Sequence, residues 1–184
     1  MKPLFSVPFL TFLFFYFYSV PTLSSYVYDA SATTTTVINS TDFIRTSCYA
    51  TLYPDICYTS LYGYANAIQQ DPARLARAAI SVSLSKARNM AVYNMGDAVD
   101  EIRGSLKQMQ RVVAPGSESF RFQMGNVQTW MSAALTDEET CTDGFEDVAD
   151  GPMKTEVCKR AAKVKKFTSN ALALVNSYAE KGTM

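Results

Sequence analysis

From Thr41 onward apolar residues recur every three or four positions, and no stretch keeps the alternation of a strand. The pattern predicts helices throughout. Asp71-Pro72 opens a long one: an aspartate accepts the unpaired amides of a first turn, and proline follows where no donor is needed. Its apolar stripe is Leu75, Ala79, Ile80, Val82, Leu84, Ala87 and Ala91, and the pattern runs to about Tyr93. Asn94-Met95-Gly96-Asp97 reads as a break with Asp97 as the next cap. Val99, Ile102, Leu106 and Met109 then carry a second helix to about Val113. After Pro115-Gly116, Ser117 or Ser119 caps a third helix and Glu118 complements its positive end. Phe120, Met124, Val127, Trp130 or Met131, and Ala134 face inward, and this helix reaches about Cys141. A connection from Asp143-Gly144 through Gly151-Pro152 leads to a fourth helix holding Val157, Ala161, Val164, Phe167, Ala171, Leu174 or Val175, and Tyr178. Four amphipathic helices joined by short breaks predict an all-α, up-down-up-down four-helix bundle.

The first residues follow another pattern. Lys2 is the only charge before Asp29, and an apolar run from Leu4 to Val20 contains Pro8. That run is short for a spanning helix and suits a secretory signal peptide. Residues 1–24 are read as that signal, ending at Thr22-Leu23-Ser24, or as late as residue 32 at Ala30-Ser31-Ala32. Residues 25–38, with threonine from Thr33 to Thr36, read as a flexible N-terminus, and 39–180 as the helical domain. Asn39-Ser40-Thr41 is a glycosylation sequon, meaningful only in a secreted chain. The expected location is therefore extracellular, with no membrane attachment after processing.

Charge and chemistry narrow the function. The chain's 17 basic and 17 acidic residues cancel, which gives no electrostatic argument for nucleic acid or an anionic membrane. There is no histidine among the 184 residues, so imidazole-based triads and the commonest metal ligand are missing. No metal, cofactor or catalytic residue is expected. Lys163, Lys165 and Lys166 read as a solvated face. Four cysteines allow three pairings in an oxidising compartment. Cys48 and Cys57, with Tyr53-Pro54-Asp55 between them, read as two short helical pieces folded back and stapled; the alternative is a pair of reduced, buried thiols.

Several blocks, in order, resemble the plant invertase/pectin methylesterase inhibitor family. Thr41-Asp42-Phe43-Ile44-Arg45-Thr46-Ser47-Cys48 and Thr51-Leu52-Tyr53-Pro54-Asp55-Ile56-Cys57 are similar to its N-terminal cysteine hairpin. Leu75 to Val82 resembles the first bundle helix, and Gly96-Asp97-Ala98-Val99-Asp100 the middle of the second. The most specific block is Asn126 to Thr136, followed by Thr140-Cys141 and Asp143-Gly144-Phe145; Thr168 to Leu174 closes the match. The resemblance implies a non-enzymatic bundle that binds a plant pectin methylesterase or an acid invertase in the cell wall and covers its active site. Invertase inhibitors often carry Pro-Lys-Phe before the third helix, whereas this chain has Ala114-Pro115-Gly116-Ser117-Glu118-Ser119-Phe120. That difference favours the esterase branch; acid invertase inhibition, or a truncated member without inhibitory activity, is the alternative.

One departure stands out. Ala91-Val92-Tyr93 runs almost directly into Gly96-Asp97, so about two dozen residues of the family pattern are absent, with the cysteine that pairs with the match to Cys141. Helices one and two should therefore be short, leaving three and four to overhang by on the order of 10 Å. The uncovered part would include Leu135, Cys141, Val157, Cys158 and Ala161. A substitute bridge between Cys141 and Cys158 is one expectation, two thiols at a frayed end the other. For partner contact the candidates are Gln128, Thr129, Ser132 and Thr136 on helix three, where small polar side chains allow close approach, and Asp100, Arg103 and Lys107 on helix two. The competing reading of both rows is an ordinary solvated or packing face.

Overall fold

A computed structural model of the chain describes residues 30–88, 95–111 and 113–183, with side-chain environments from residue 39. The proposed signal segment up to residue 29 lies outside the described residues, as does Ala91. All regular structure among the described residues is helical: α1 (Ala30–Tyr49), α2 (Pro54–Leu61), a 3-10 turn (Tyr62–Tyr64), α3 (Ala65–Ile68), α4 (Pro72–Arg88), α5 (Gly96–Met109), α6 (Glu118–Asp143) and α7 (Pro152–Lys181). Helices α4 to α7 are the bundle. Helix α1 begins within the segment expected to be flexible and runs through Thr33–Thr36. Threonine is a poor helix former, so this extension rests on the helix already formed around Ile44 and Cys48.

The hairpin ahead of the bundle is closed by a Cys48–Cys57 disulfide, and both cysteines are buried. It docks through Asn170, a buried α7 residue. Its Nδ2 donates to Tyr53 O (2.9 Å) and its Oδ1 accepts from Tyr53 N (3.1 Å), so one amide satisfies both backbone groups at the hairpin's turn. Asp71 caps α4 as expected, accepting from Ala73 N (2.8 Å) and Arg74 N (3.2 Å). Ser117 caps α6, accepting from Phe120 N at 3.0 Å. Asp97 does not cap α5: the helix starts one residue earlier, and Asp97 lies in its first turn, where its charge still complements the helix end. Helix α5 also stops at Met109, short of Val113.

The core fills the space between the four long helices with Leu75, Ile80 and Leu84 of α4, Val99 and Ile102 of α5, Phe120, Val127 and Met131 of α6, and Leu174 and Val175 of α7. Helices α4 and α5 have 17 and 14 residues against 26 and 30 for α6 and α7. At 1.5 Å per residue the longer pair extends well beyond the shorter. The longer pair continues past the described ends of the shorter helices, and its seam there is not open. Val157 and Ala161 are buried, contrary to expectation, while Leu135, Cys141 and Cys158 are half-buried. The antiparallel α6–α7 pair is tied near this end by Lys165 Nζ to Glu139 Oε1 at 2.5 Å.

Candidate partner-binding face

Helices α5 and α6 are antiparallel neighbours brought close by a glycine. A Cβ placed on Gly104 would stand 3.1 Å from Trp130 Cε3, so the indole lies directly on the α5 backbone. Ser105 Oγ donates to Val127 O (3.4 Å), and Gln123 Nε2 donates to Gln108 O (2.7 Å) and Arg111 O (3.3 Å), holding the end of α5. Of the two residues offered for one inward position, Met131 takes the core and Trp130 the half-buried α5–α6 seam.

The expected stripe on α6 is exposed at Thr129, Ser132 and Thr136. Thr129 Oγ1 donates to Gly125 O (2.8 Å) and Thr136 Oγ1 to Ser132 O (3.3 Å). These bonds to the carbonyl one turn back spend the hydroxyl protons within the helix and leave oxygen lone pairs to a partner. The stripe is thus flatter and less polar than its composition suggests. Gln128 sits differently: half-buried, its Nε2 donates to Asn176 Oδ1 (3.0 Å) and ties α6 to α7. On α5, Asp100 and Lys107 are exposed, and the Arg103 guanidinium pairs with the Asp100 carboxylate. Among the described residues no hydrogen bond or ion pair links this row to the α6 stripe.

Behind this face lies a polar group that the sequence reading missed. Glu138 is buried; Thr168 Oγ1 donates to its Oε1 at 2.6 Å, and Ser83 Oγ shares a 2.7 Å bond with Thr168, linking α6, α7 and α4. Its Oε2 is buried without a hydrogen-bond partner. Burial pushes this carboxyl up to about 7, with the Asp137 carboxylate adding to the effect and the Thr168 bond and Lys165 opposing it. Glu101 is also pushed up to about 7, first by burial, then by the adjacent Asp137 and by Asp97. The signal for Glu138 was present: it falls four residues after Ala134, on the same stripe as Phe120, Val127 and Met131.

The substitute disulfide is not formed: Cys141 and Cys158 are both thiols. Burial raises the Cys141 thiol, and Cys158 adds to this, so the two are neighbours.

Among the described residues no group of side chains could hold a metal ion, and no helix is long and apolar enough to cross a membrane. A short disulfide-stapled helical hairpin on a four-helix bundle defines the architecture. The chain belongs to the plant invertase/pectin methylesterase inhibitor family, whose model matches residues 42–94 and 92–174. This is a family of inhibitors, not of enzymes. Pectinesterase inhibitor 11 of Arabidopsis thaliana is 38% identical over 195 residues, covering 92% of this chain and 95% of the relative. The 21 kDa protein of Daucus carota is 40% identical, covering 76% and 84%. Pectinesterase inhibitor 3 of Arabidopsis thaliana is 39% identical, covering 76% and 80%. No solved structure matches. The family match breaks and resumes at 92–94, between the described ends of α4 and α5. The alignment to the first relative spans 195 positions while using 92% of a 184-residue chain, so about two dozen positions have no counterpart here.

Proposed function

We propose that this chain is a secreted protein inhibitor of pectin methylesterase that works by steric occlusion. Helices α5 and α6 present a rigid outer face, and the inhibitor covers the enzyme's pectin cleft without covalent chemistry. What carries the reading is kinship across nearly the full length with proteins named pectinesterase inhibitors. In this reading Thr129, Ser132 and Thr136, with Asp100, Arg103 and Lys107, contribute to the contact, and Gln128 holds the α6 stripe in place. Residues 1–24 direct secretion to the cell wall, and Asn39, which is exposed on α1, carries the glycan.

The test is titration of the purified mature protein against a plant pectin methylesterase and an acid invertase at acidic pH, with circular dichroism alongside. Stoichiometric loss of esterase activity by a fully helical protein is the expected result. A helical protein that blocks only the invertase moves the target to the other branch. One that blocks neither removes the inhibitory reading and leaves a truncated family member without that activity.

A further inference from the structure

At the intact end of the bundle, away from the clipped corner, a cavity of about 550 Å³ opens between the start of α4, the end of α5, the start of α6 and the end of α7. Its lining has two characters. Met109, Val113, Pro115 and Met124 are its apolar residues; Arg74, Arg77, Arg111 and Tyr178, with Asp71 and Gln123, are its polar ones. Three guanidinium groups face a single carboxylate, Asp71, and that carboxylate is already engaged. Its Oδ1 caps α4, and its Oδ2 lies 3.4 Å from Arg74 Nε. Arg74 is held too, donating to Gln69 Oε1 at 2.6 Å.

Arg77 is different. Its Nε is buried and has no hydrogen-bond partner, and neither Arg77 nor Arg111 forms an ion pair among the described residues. The chain leaves this guanidinium incompletely satisfied, and it lines the cavity together with Arg111. Tyr178 adds a hydroxyl whose ring is fixed edge-on against Phe120, with centroids 5.3 Å apart. Burial raises this phenol, so it stays protonated and donates.

We propose that this cavity binds a small organic carboxylate, a uronic acid unit, with Arg77 and Arg111 on the carboxylate and the sugar ring against the apolar residues. Guanidinium pairs bind planar carboxylates in bidentate fashion, and a cavity of this size takes a ligand of one or two rings. The mixed lining disfavours a free inorganic ion, which has no use for the methionines. The choice of a uronate rests on the proposed function: an esterase that cleaves pectin methyl esters leaves carboxylates, and a pocket that requires the charge distinguishes product from substrate. The site is separate from the α5–α6 outer face, so its occupancy can report the degree of de-esterification while that face is engaged.

The experiment is calorimetric titration of the mature protein with sodium galacturonate, its methyl ester and sodium phosphate, with no enzyme present. Saturable galacturonate binding is expected, with the ester weaker by about tenfold or more and Arg77→Gln weakening the acid by a similar factor, the loss of one charge-assisted contact. Arg111→Gln, at an exposed position, is expected to weaken it as well and serves if Arg77→Gln disturbs the fold. No saturable galacturonate binding, equal binding of acid and ester, phosphate binding as tight as galacturonate, or no effect of either substitution in a folded protein overturns the proposal. Because no esterase is involved, a failure here is separate from a failure of inhibition.

Discussion

Glu138 is the residue whose chemistry reaches furthest. It occupies a core position, yet among the described residues its carboxyl accepts from Thr168 alone, and its second oxygen has no partner. Burial raises its folded value to about 7 against an ordinary 4.5. Between those limits the folded chain holds a proton that the unfolded chain has released. Its stabilising effect is therefore full below about 4.5 and is lost as pH rises through about 7. A shift of this size is worth on the order of 3 kcal/mol. Glu101 shifts in the same direction from a more open site. The expected outcome is a melting temperature higher at pH 5 than at pH 8, with Glu138→Gln flattening most of the difference. An unchanged pH profile in Glu138→Gln would remove the role. The same residue shows what the sequence concealed. Periodicity placed the stripe correctly at Phe120, Met124, Val127, Met131 and Ala134, but an apolar pattern does not say which polar side chain continues it. Arg77 is a similar case, since helical spacing cannot show that a guanidinium nitrogen is enclosed without an acceptor.

At the scale of elements, one contact sets the geometry of the proposed face and a second ties the hairpin to the bundle. The first is the approach of α5 to α6 at Gly104. A bare Cβ there stands 3.1 Å from the indole of Trp130, so a branched side chain must displace the ring or part the helices. Gly104→Val is expected to cost about 1–3 kcal/mol, seen as a lower denaturant midpoint, and to weaken inhibition by moving the α6 stripe against the α5 row. The second holds the stapled hairpin. Cys48 and Cys57 are nine residues apart, and replacing both with alanine should cost roughly 2–3 kcal/mol through the freed loop. Asn170 would still hold Tyr53, so the bundle itself is expected to stay helical by circular dichroism. Element order, the caps at Asp71 and Ser117 and the disulfide were legible because each is a local signal. The start of α5 was not: Asp97 has the chemistry of a cap, but Gly96 is already helical, and only tertiary packing decides by one residue where a helix begins. The partner row is a direct probe of the α5–α6 reading. Ser132→Arg puts a long side chain on the small exposed stripe, so esterase inhibition should fall by tenfold or more while the melting temperature barely moves, as expected for a surface position.

The whole molecule is a bundle with unequal helices, and that asymmetry has a mechanical consequence. Where all four helices overlap, α6 and α7 are buried by two neighbours each. Towards the α6–α7 connection exposure rises, from Glu139 and Thr140 through residues 146–150 to Thr155 and Glu156. Val157 and Ala161 are nonetheless buried. It does not follow that this end is as firmly held as the centre. Met153 and Val148 are exposed at this end, and the connecting segment is secured mainly by Lys154, which donates to Val148 O (2.8 Å) and Glu146 O (3.2 Å). A seam with fewer buried contacts opens at lower free energy than the global value. Amides of α6 after Thr136 and of α7 before Ala161 are therefore expected to exchange with deuterium well before those of 120–134 and 164–179. Uniform protection along both long helices would mean that this end is as firmly held as the centre, and that the shortening of α4 and α5 carries no local cost.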